Sequence, residues 1–587
     1  MAITKLKPTD AVVIGVGWAG CILAKELADA GLSVVGLERG RFRDTDPDFQ
    51  IPHAHDELKY AIRYELMQDL SKETITFRNN TEQTALPMRQ LGSFLLGEGL
   101  GGAGVHWGGM AFRFHPWDFE IKSRTLKRYG PEAISVDCTI QDWGITYDEL
   151  EPYYDRFDRL CGLAGKAGNL KGEIQPGGNP FEGPRQHEYP NPPMKTSYAG
   201  SLFKQGAQSV GLHPYPAPSG NSTQPYTNPY GVQLGICVYC GYCERCGCEM
   251  SAKASPQSAV FPALLKMKNF ELRTHANVVK INLDNTGKRA VSVTYIDSKG
   301  REFEQPADII LLASYVFNNA KLLLLSNIGK PYDPVSGRGV VGKNYAYQAK
   351  SDVIAFYDDK IFNTFMGAGA CGVIADDFLG DNFDHSGLGF IGGAYIGAWT
   401  AGARPIDFHP VPEGTPRWGS EWKKAVHRYY NRSVDIWIHG GVLSYRHNYL
   451  DLDPTYRDIY GLPLTRTTFD WGENELKMSS YVTDQAERVA KAMRPNKIRI
   501  IKRGGHYSIV PYQTTHNTGG AIMGTDPETS VVNKYLQSWD VPNLFVVGAS
   551  AYPQNAGTHP TVTLGALTYW AADAITKRYV KSPGLLV

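Results

Sequence analysis

The stretch that decides the fold is Ala11-Val12-Val13-Ile14-Gly15-Val16-Gly17-Trp18-Ala19-Gly20. Its first four residues are apolar and predict a strand, and a helix is expected over residues 19–30. A second apolar run, residues 33–37, predicts the next strand. Strand, glycine turn, helix and strand in this order form one βαβ unit with parallel strands. The segment is therefore the nucleus of an α/β fold.

The glycines of this turn, Gly15, Gly17 and Gly20, have the spacing of a dinucleotide-binding fingerprint. The first makes the tight turn, the second lets the backbone approach a pyrophosphate, and the third packs the helix against the strand. Glu38 follows the second strand, where a carboxylate accepts the hydroxyl groups of a ribose. The pattern predicts a bound dinucleotide but does not separate FAD from NAD.

The composition excludes several classes of protein. Lys plus Arg amounts to 60 residues and Asp plus Glu to 59, so the basic excess that nucleic-acid backbones attract is missing. No run of 18 apolar residues occurs, which argues against a membrane-spanning helix. The first ten residues lead into a strand without an apolar signal segment, so we expect no signal peptide.

Five of the nine cysteines are concentrated in one short segment, namely Cys237, Cys240, Cys243, Cys246 and Cys248. This distribution is typical of metal ligands rather than of a disulfide framework. Thiolates at such spacing can surround an iron–sulfur cluster. Zinc is the alternative, although a four-cysteine zinc site usually consists of two Cys-x-x-Cys pairs separated by a longer loop.

The rest of the chain is expected to form three units. The cofactor-binding domain is discontinuous and comprises residues 1–45, 85–115, 255–345 and 505–587. Residues 170–255 are rich in Pro, Gly, Asn and Tyr up to Tyr230, which predicts a surface excursion without helices that carries the cysteines. Residues 346–504 predict a substrate-binding domain built on a β-sheet.

Three further segments, residues 97–113, 309–326 and 543–566, resemble the glucose-methanol-choline (GMC) oxidoreductase family. In that family the first, here Gly97-Glu-Gly-Leu-Gly101-Gly102-Ala-Gly104-Val-His106-Trp107, lies against the flavin ring. The second completes the cofactor fold, and the third lies near the ribityl-pyrophosphate. The resemblance implies FAD as the cofactor. It also implies a Rossmann-like FAD domain, a β-sheet substrate domain and an inserted iron–sulfur loop.

The residues expected to contact FAD come from the fingerprint and from these family segments. They are Gly15, Gly17, Gly20, Glu38, Gly101, Gly102, His106, Val279, Gly548 and Ala549. In some family members a histidine placed like His106 is bonded to the flavin 8α-methyl group. The alternative is that His106 only donates a hydrogen bond to the flavin edge or supports its loop.

His516 and His559 match the catalytic pair of the family. Alcohol oxidation needs a base for the hydroxyl proton while hydride leaves the carbon, and imidazole suits that task near neutral pH. We assign His516 as the base and His559 as the partner of the substrate oxygen. Where many members have an Asn-x-x-Asp-His run, this chain has Val341-Gly-Lys-Asn344-Tyr-Ala-Tyr-Gln348.

The resemblance is strongest to the flavoprotein large subunits of bacterial membrane-bound sugar and sugar-acid dehydrogenases. It implies oxidation of a secondary alcohol, with D-gluconate preferred and fructose, sorbitol, glucose or 2-ketogluconate as alternatives. An oxygen-using sugar oxidase and a non-enzymatic flavin and zinc scaffold are the rival interpretations.

The same resemblance implies a cluster of the 3Fe-4S type. Cys240, Cys243 and Cys248 are the favoured ligands, followed by Cys237. It further implies a small subunit with a twin-arginine signal, a multihaem cytochrome c subunit, and a location on the periplasmic face of the cytoplasmic membrane.

Overall fold

The computed structural model describes residues 3–50, 64–364, 367, 369–400 and 409–586. Its strands are β1 (Thr4–Lys5), β2 (Thr9–Ile14), β3 (Val34–Leu37), β4 (Ile75–Arg78), β5 (Leu86–Pro87), β6 (Asn169–Leu170), β7 (Glu173–Ile174), β8 (Tyr215–Pro216), β9 (Tyr226–Thr227), β10 (Gln233–Leu234), β11 (Phe270–Arg273), β12 (Asn277–Leu283), β13 (Ala290–Ile296), β14 (Glu302–Leu312), β15 (Gln348–Phe356), β16 (Cys371–Ala375), β17 (Ala394–Thr400), β18 (Ser433–Gly441), β19 (Tyr449–Arg457), β20 (Pro463–Thr468), β21 (Lys497–Ile501) and β22 (Leu544–Val546).

The α-helices of the described ranges are α1 (Trp18–Asp29), α2 (Thr45–Asp48), α3 (Pro116–Phe119), α4 (Ile121–Tyr129), α5 (Tyr147–Cys161), α6 (Tyr198–Ser209), α7 (Pro256–Ala259), α8 (Phe261–Leu264), α9 (Val316–Leu325), α10 (Ser420–Tyr429), α11 (Glu473–Ala492) and α12 (Thr561–Ala574). Within these ranges, none of the helices combines the length and the apolar character that a membrane crossing requires.

Strands from both halves of the chain form one parallel sheet with the order β11-β3-β2-β14-β22. β12 and β13 extend it as antiparallel strands beside the first half of β14. β2 and β22 are apolar because a parallel sheet is covered on both faces, and residues 11–14 and 544–546 are accordingly buried. α1 packs beside α12, which also contacts α5. The α/β fold class predicted from the sequence is confirmed.

A second sheet is six-stranded and has the order β21-β15-β18-β17-β16-β8. Its register places Lys350 opposite His439, and His439 opposite Tyr395. Since side chains alternate across a strand, these three residues share one face. The opposite face is apolar and is covered by α6 and α11, with Ile436, Ile438 and Val482 in one buried cluster.

The structure differs from the prediction that residues 170–255 contain no helix. α6 lies within them, packs against α11, and is followed by β8 at the edge of the six-stranded sheet. Ser197 caps the helix by accepting the Gly200 N–H at 3.0 Å. At Gly206 a Cβ would lie 2.7 Å from Met493 Cγ, so the glycine permits close packing. The prediction is wrong because abundant Pro and Gly on both sides obscured a short capped helix.

A smaller sheet with the order β19-β20-β4-β5 is fastened to the cofactor domain by a buried ion pair. Lys321 on α9 lies 2.7 Å from Glu73 and 2.8 Å from Asp458. Glu73 precedes β4 and Asp458 follows β19, so one lysine holds both segments against α9.

Candidate active site

A cavity of about 1030 Å³ lies between the carboxyl ends of the parallel strands and the polar face of the six-stranded sheet. Gly15, Gly17 and Glu38 line one end of it, and His516 and His559 line another part. In open α/β sheets, ligands bind beyond the carboxyl ends of the strands. The cavity therefore brings the predicted cofactor residues and the predicted catalytic residues to one site.

The glycine turn has the geometry that a dinucleotide requires. Gly15 has φ +84°, and a Cβ there would lie 2.8 Å from Ala313 O, so only glycine fits. At Gly20 a Cβ would lie 2.0 Å from Gly15 O, which shows how closely α1 packs on the turn. Glu38 accepts the Val16 N–H at 3.1 Å and the Gly40 N–H at 2.9 Å. These bonds fix its carboxylate at the cavity wall.

The second glycine segment packs directly on the first. The Gly101 N–H donates to Val16 O at 3.0 Å, and a Cβ on Gly17 would stand 3.6 Å from Gly101 O. Gly101 and Gly102 have φ of +92° and +51°, and Gly102 lines the cavity. The two glycine loops thus present backbone rather than side chains to a ligand.

His106 is buried at the cavity wall, with 5% of its surface exposed. Its Nε2 has no hydrogen-bond partner among the described residues. Burial, together with the charge of Lys253, lowers the pKa of His106 to about 3, so the imidazole is neutral. A neutral imidazole with a free ring nitrogen can act as a nucleophile or accept a hydrogen bond.

Of the remaining predicted cofactor residues, two line the cavity and Val279 is not among its lining residues. Gly548 and Ala549 line the cavity, and Ala549 O accepts the Gly519 N–H at 3.0 Å. Val278, rather than the predicted Val279, is among the lining residues. Neighbouring residues of β12 point to opposite sides of the strand, so a shift of one position changes the face.

His516 and His559 lie next to each other in the cavity wall. Their ring centroids are 4.7 Å apart and the ring planes are nearly perpendicular, at 80°. Burial lowers the pKa of His516 to about 3, and burial with the nearby His516 and His439 lowers the pKa of His559 well below its usual value. Both rings are therefore neutral near pH 7, as a base awaiting a proton must be.

Gln348 fixes the tautomer of His516. Its amide NH₂ donates to Ala556 O at 2.9 Å and Thr558 O at 2.7 Å, so its Oε1 is the atom that faces His516 Nδ1, at 2.5 Å. An amide oxygen only accepts, which requires the proton on Nδ1 and leaves the lone pair on Nε2. Gln348 ends the run of residues 341–348, and it also anchors the segment before His559.

A third histidine, His439, was not identified from the sequence. One ligand nitrogen of each of His439, His516 and His559 lies within 4.8 Å of the others. His439 is 4% exposed, and neither of its ring nitrogens has a partner in the described structure. The strand alternation of residues 435, 437 and 439 could have indicated a polar face, but only the pairing of β18 places His439 beside the predicted catalytic pair.

Lys350 and Asp435 lie on the same face of the six-stranded sheet as His439 and also line the cavity. Lys350 Nζ lies 4.4 Å from the ring centroid of Trp437 and 3.2 Å from Asp352 Oδ1. Burial and the charge of Asp352 raise the pKa of Asp435 to about 7. This wall is thus a mixed aromatic and charged surface, suited to a hydrophilic substrate.

All nine cysteines lie in the described residues, and none forms a disulfide. Cys243 and Cys246 are buried, whereas Cys237, Cys240 and Cys248 are half-buried. Asn221 Nδ2 lies 3.3 Å from Cys243 Sγ and 3.7 Å from Cys237 Sγ, and the Lys253 N–H lies 3.5 Å from Cys248 Sγ. The predicted ligands therefore converge on one small region.

The cysteine segment borders the cavity. The Arg245 N–H donates to His106 O at 2.8 Å, which joins the segment to the loop that carries His106. Tyr239, Arg245 and Cys371 line the cavity from this side. Cys371, at the start of β16, packs in one cluster with Cys243, a contact that the sequence did not predict.

Comparison with known proteins gives one consistent result. Two GMC oxidoreductase family models match residues 226–349 and 444–568. The chain is 50% identical to the gluconate 2-dehydrogenase flavoprotein of Pantoea cypripedii over 99% of its length and 96% of that protein. It is 26% identical to the fructose dehydrogenase large subunit of Gluconobacter japonicus, over 96% of this chain and 97% of that one. The crystal structure of pyridoxine 4-oxidase from Mesorbium loti has a similar fold, with a TM-score of 0.57 at 16% identity, covering 97% of this chain and 99% of that chain.

Proposed function

This chain belongs to the GMC oxidoreductase family, and we propose that it is the FAD-dependent flavoprotein of a dehydrogenase that oxidises D-gluconate to 2-keto-D-gluconate. One arrangement supports this activity most directly: the neutral His516 and His559 lie side by side on the wall of the cavity that the glycine loops enter, and Lys350 lines the same cavity. The high identity to a gluconate 2-dehydrogenase flavoprotein favours the same substrate class.

GMC oxidoreductases bind FAD, and the residues of this cavity fit that cofactor. We assign Glu38 to the ribose, and we assign Gly15, Gly17 and Gly102, which present backbone to the cavity, to the pyrophosphate and the ring side. When bound, FAD supplies an acceptor at N5 for the hydride of the substrate. The protein contributes binding, orientation and proton transfer.

His516 takes the proton in this mechanism. Oxidation of a secondary alcohol removes a hydride from carbon and a proton from oxygen, and the lone pair of His516 Nε2 receives the proton. His559 lies close enough to hold the same substrate oxygen. Gln348 forms hydrogen bonds with His516 and with the carbonyl groups of Ala556 and Thr558, which precede His559. It therefore holds the two imidazole rings in a fixed relative position as the proton moves.

Lys350 is the residue we assign to the carboxylate of the substrate. In gluconate, the carboxylate is bonded to the carbon that is oxidised. A cationic side chain that binds this carboxylate must therefore lie near the histidines. Lys350 stands opposite His439 in the sheet and two residues from Gln348 on the same face. Lys350 lies near Asp352 and Asp435, and Arg503 lies near Asp352. Burial and the charge of Asp352 raise the pKa of Asp435 to about 7, so it is partly protonated at neutral pH. The wall therefore retains positive charge for an anion, and less of it as Asp435 ionises above that pH.

Replacing Lys350 with methionine should raise KM for gluconate about 10- to 100-fold, the value of one charge-assisted hydrogen bond. KM for neutral sugars such as fructose or sorbitol should change far less. The measurement is dye reduction by purified, flavin-loaded protein over a panel of sugars and sugar acids. Lys350→Arg should recover much of the gluconate affinity, and the exposed Lys497→Met on β21 serves as the control.

Equal losses for gluconate and neutral sugars in Lys350→Met would remove the lysine from substrate recognition. An unmodified protein that reduces dye with a neutral sugar and not with gluconate would contradict the proposed substrate itself.

The proposed metal centre is an iron–sulfur cluster of the 3Fe-4S type. Three cysteines are needed to bind it, and the candidates are Cys237, Cys240, Cys243 and Cys248. The spacing of the sulfurs favours a cluster over zinc. Tetrahedral zinc at about 2.3 Å from each sulfur needs sulfurs within about 4 Å of one another. In the described residues, the histidines form the only group of three ligands within 4.8 Å. A cluster would accept electrons one at a time, which an oxygen-reducing oxidase does not need.

A covalent bond between His106 and the flavin 8α-methyl group is the proposed mode of attachment, supported by the unpartnered Nε2 of a neutral ring. Acid precipitation of the unmodified protein should then leave yellow flavin in the pellet, and His106→Ala should release it to the supernatant. The exposed His275→Ala should behave like the unmodified protein. Flavin released from the unmodified protein would refute the bond, while leaving FAD binding in place.

We further propose that the protein works with partner subunits, a small subunit carrying a twin-arginine signal and a multihaem cytochrome c, on the periplasmic face of the membrane. The fructose dehydrogenase relative is itself named a large subunit. Exposed apolar side chains flank the cysteines, namely Ile236, Val238 and Met250. Such a patch next to a redox centre is suited to a protein partner.

A further inference from the structure

Lys253 is a buried lysine with an unusual set of partners. It has no exposed surface. Its Nζ lies 2.6 Å from Trp107 O, 2.7 Å from Cys243 O, 2.8 Å from Cys246 O and 3.2 Å from Val105 O. Four carbonyl oxygens around one nitrogen suit an ammonium, which has three N–H donors and no lone pair, whereas burial lowers the pKa of Lys253.

No carboxylate in the described structure lies within ion-pair distance of Lys253. The contacts of its Nζ are instead the four backbone carbonyl oxygens, and its backbone N–H lies 3.5 Å from Cys248 Sγ. A buried charge is strongly unfavourable unless an opposite charge or metal site compensates it. In the described structure this compensation comes from the four carbonyl oxygens, two of which belong to the cysteine segment.

The four carbonyl groups belong to two different segments. Val105 and Trp107 flank His106 on the flavin side, whereas Cys243 and Cys246 belong to the cysteine segment. Lys253 therefore joins these two segments at a single point. The bond from the Arg245 N–H to His106 O reinforces the same junction.

We propose that Lys253 is a positioning residue for electron transfer, which holds the His106 loop against the cysteine segment and raises the reduction potential of the cluster bound there. This inference rests on the proposed iron–sulfur cluster. Reduction adds one negative charge to the cluster, and a fixed positive charge in a low-dielectric interior stabilises the more negative form. A purely structural lysine would bind the carbonyl groups without affecting the potential.

The test uses the full-length protein with its flavin and metal content intact. Lys253→Gln keeps hydrogen-bond donors but removes the charge, and Lys253→Arg keeps the charge. The readouts are iron and acid-labile sulfide per chain, and the potential of the cluster from redox titration followed by electron paramagnetic resonance. The exposed Lys266→Met is the control and should match the unmodified protein in both.

In Lys253→Gln the equilibrium constant for one-electron reduction of the cluster should fall about tenfold or more, and each tenfold corresponds to 59 mV toward negative potential. An unchanged potential with full iron content would overturn the role of the charge. If Lys253→Gln loses its iron, recovery of iron in Lys253→Arg supports the charge requirement, and iron loss in both variants contradicts it. Absence of iron from the unmodified protein would instead reject the proposed cluster.

Discussion

Replacing His516 with alanine should leave flavin bound and lower turnover by a factor of about 10² to 10⁴, the usual contribution of a positioned acid–base group. The glycine loops are separate from this ring, whereas the base whose lone pair Gln348 defines is lost. Stopped-flow measurement of flavin bleaching by the substrate reports the affected step directly. Because burial lowers the pKa of His516 to about 3, the rate in the unmodified protein should not fall through loss of this base between neutral and mildly acidic pH.

Two further variants distinguish chemistry from folding at this site. Gln348→Leu removes the acceptor that fixes the His516 tautomer, so it should also slow bleaching, by less than His516→Ala. The exposed His213→Ala should bleach normally. Bleaching of His516→Ala at a near-normal rate would remove His516 from the mechanism.

Replacing Cys243 with serine should abolish electron transfer to a cytochrome acceptor while substrate still bleaches the flavin. Cys243 is buried at the centre of the cysteine segment, and a serine hydroxyl does not substitute for a soft thiolate on iron. Iron, acid-labile sulfide and cytochrome reduction are measured on the same preparation.

Cys138→Ser is the matched control, because Cys138 is a free thiol far from this segment in sequence, and it should retain iron and cytochrome reduction. One zinc and no iron in the unmodified protein would show that the cysteines form a structural site and carry no electrons.

Local sequence patterns predicted those elements of the fold that are determined by neighbouring residues, such as the glycine turn. The turn between β2 and α1 depends on the positive φ of Gly15 and on the close approach of Gly20 to Gly15 O, both of which require glycine. The α6 helix was missed because its signals, a Ser197 cap and two glycines, lie in a segment whose composition is typical of loops. Composition averages over a segment, whereas a cap acts at one residue.

The catalytic part of the candidate site was predicted only where a family resemblance supplied long-range information. His516 and His559 were paired in this way, whereas His439 and Lys350 depend on the register between β15, β18 and β17. Pairing of distant strands is set by packing of the whole sheet, and a shift of one residue would turn both side chains away from the cavity. Val278 and Val279 show the same sensitivity within a single strand.

The most direct test of the account is anaerobic mixing of the purified, flavin-loaded protein with D-gluconate, followed by addition of either air or an oxidised cytochrome or dye. We expect gluconate to bleach the flavin, the dye or cytochrome to restore its colour rapidly, and air to restore it slowly. Rapid recovery in air would identify an oxygen-using oxidase, and failure of gluconate to bleach the flavin would contradict the proposed dehydrogenase.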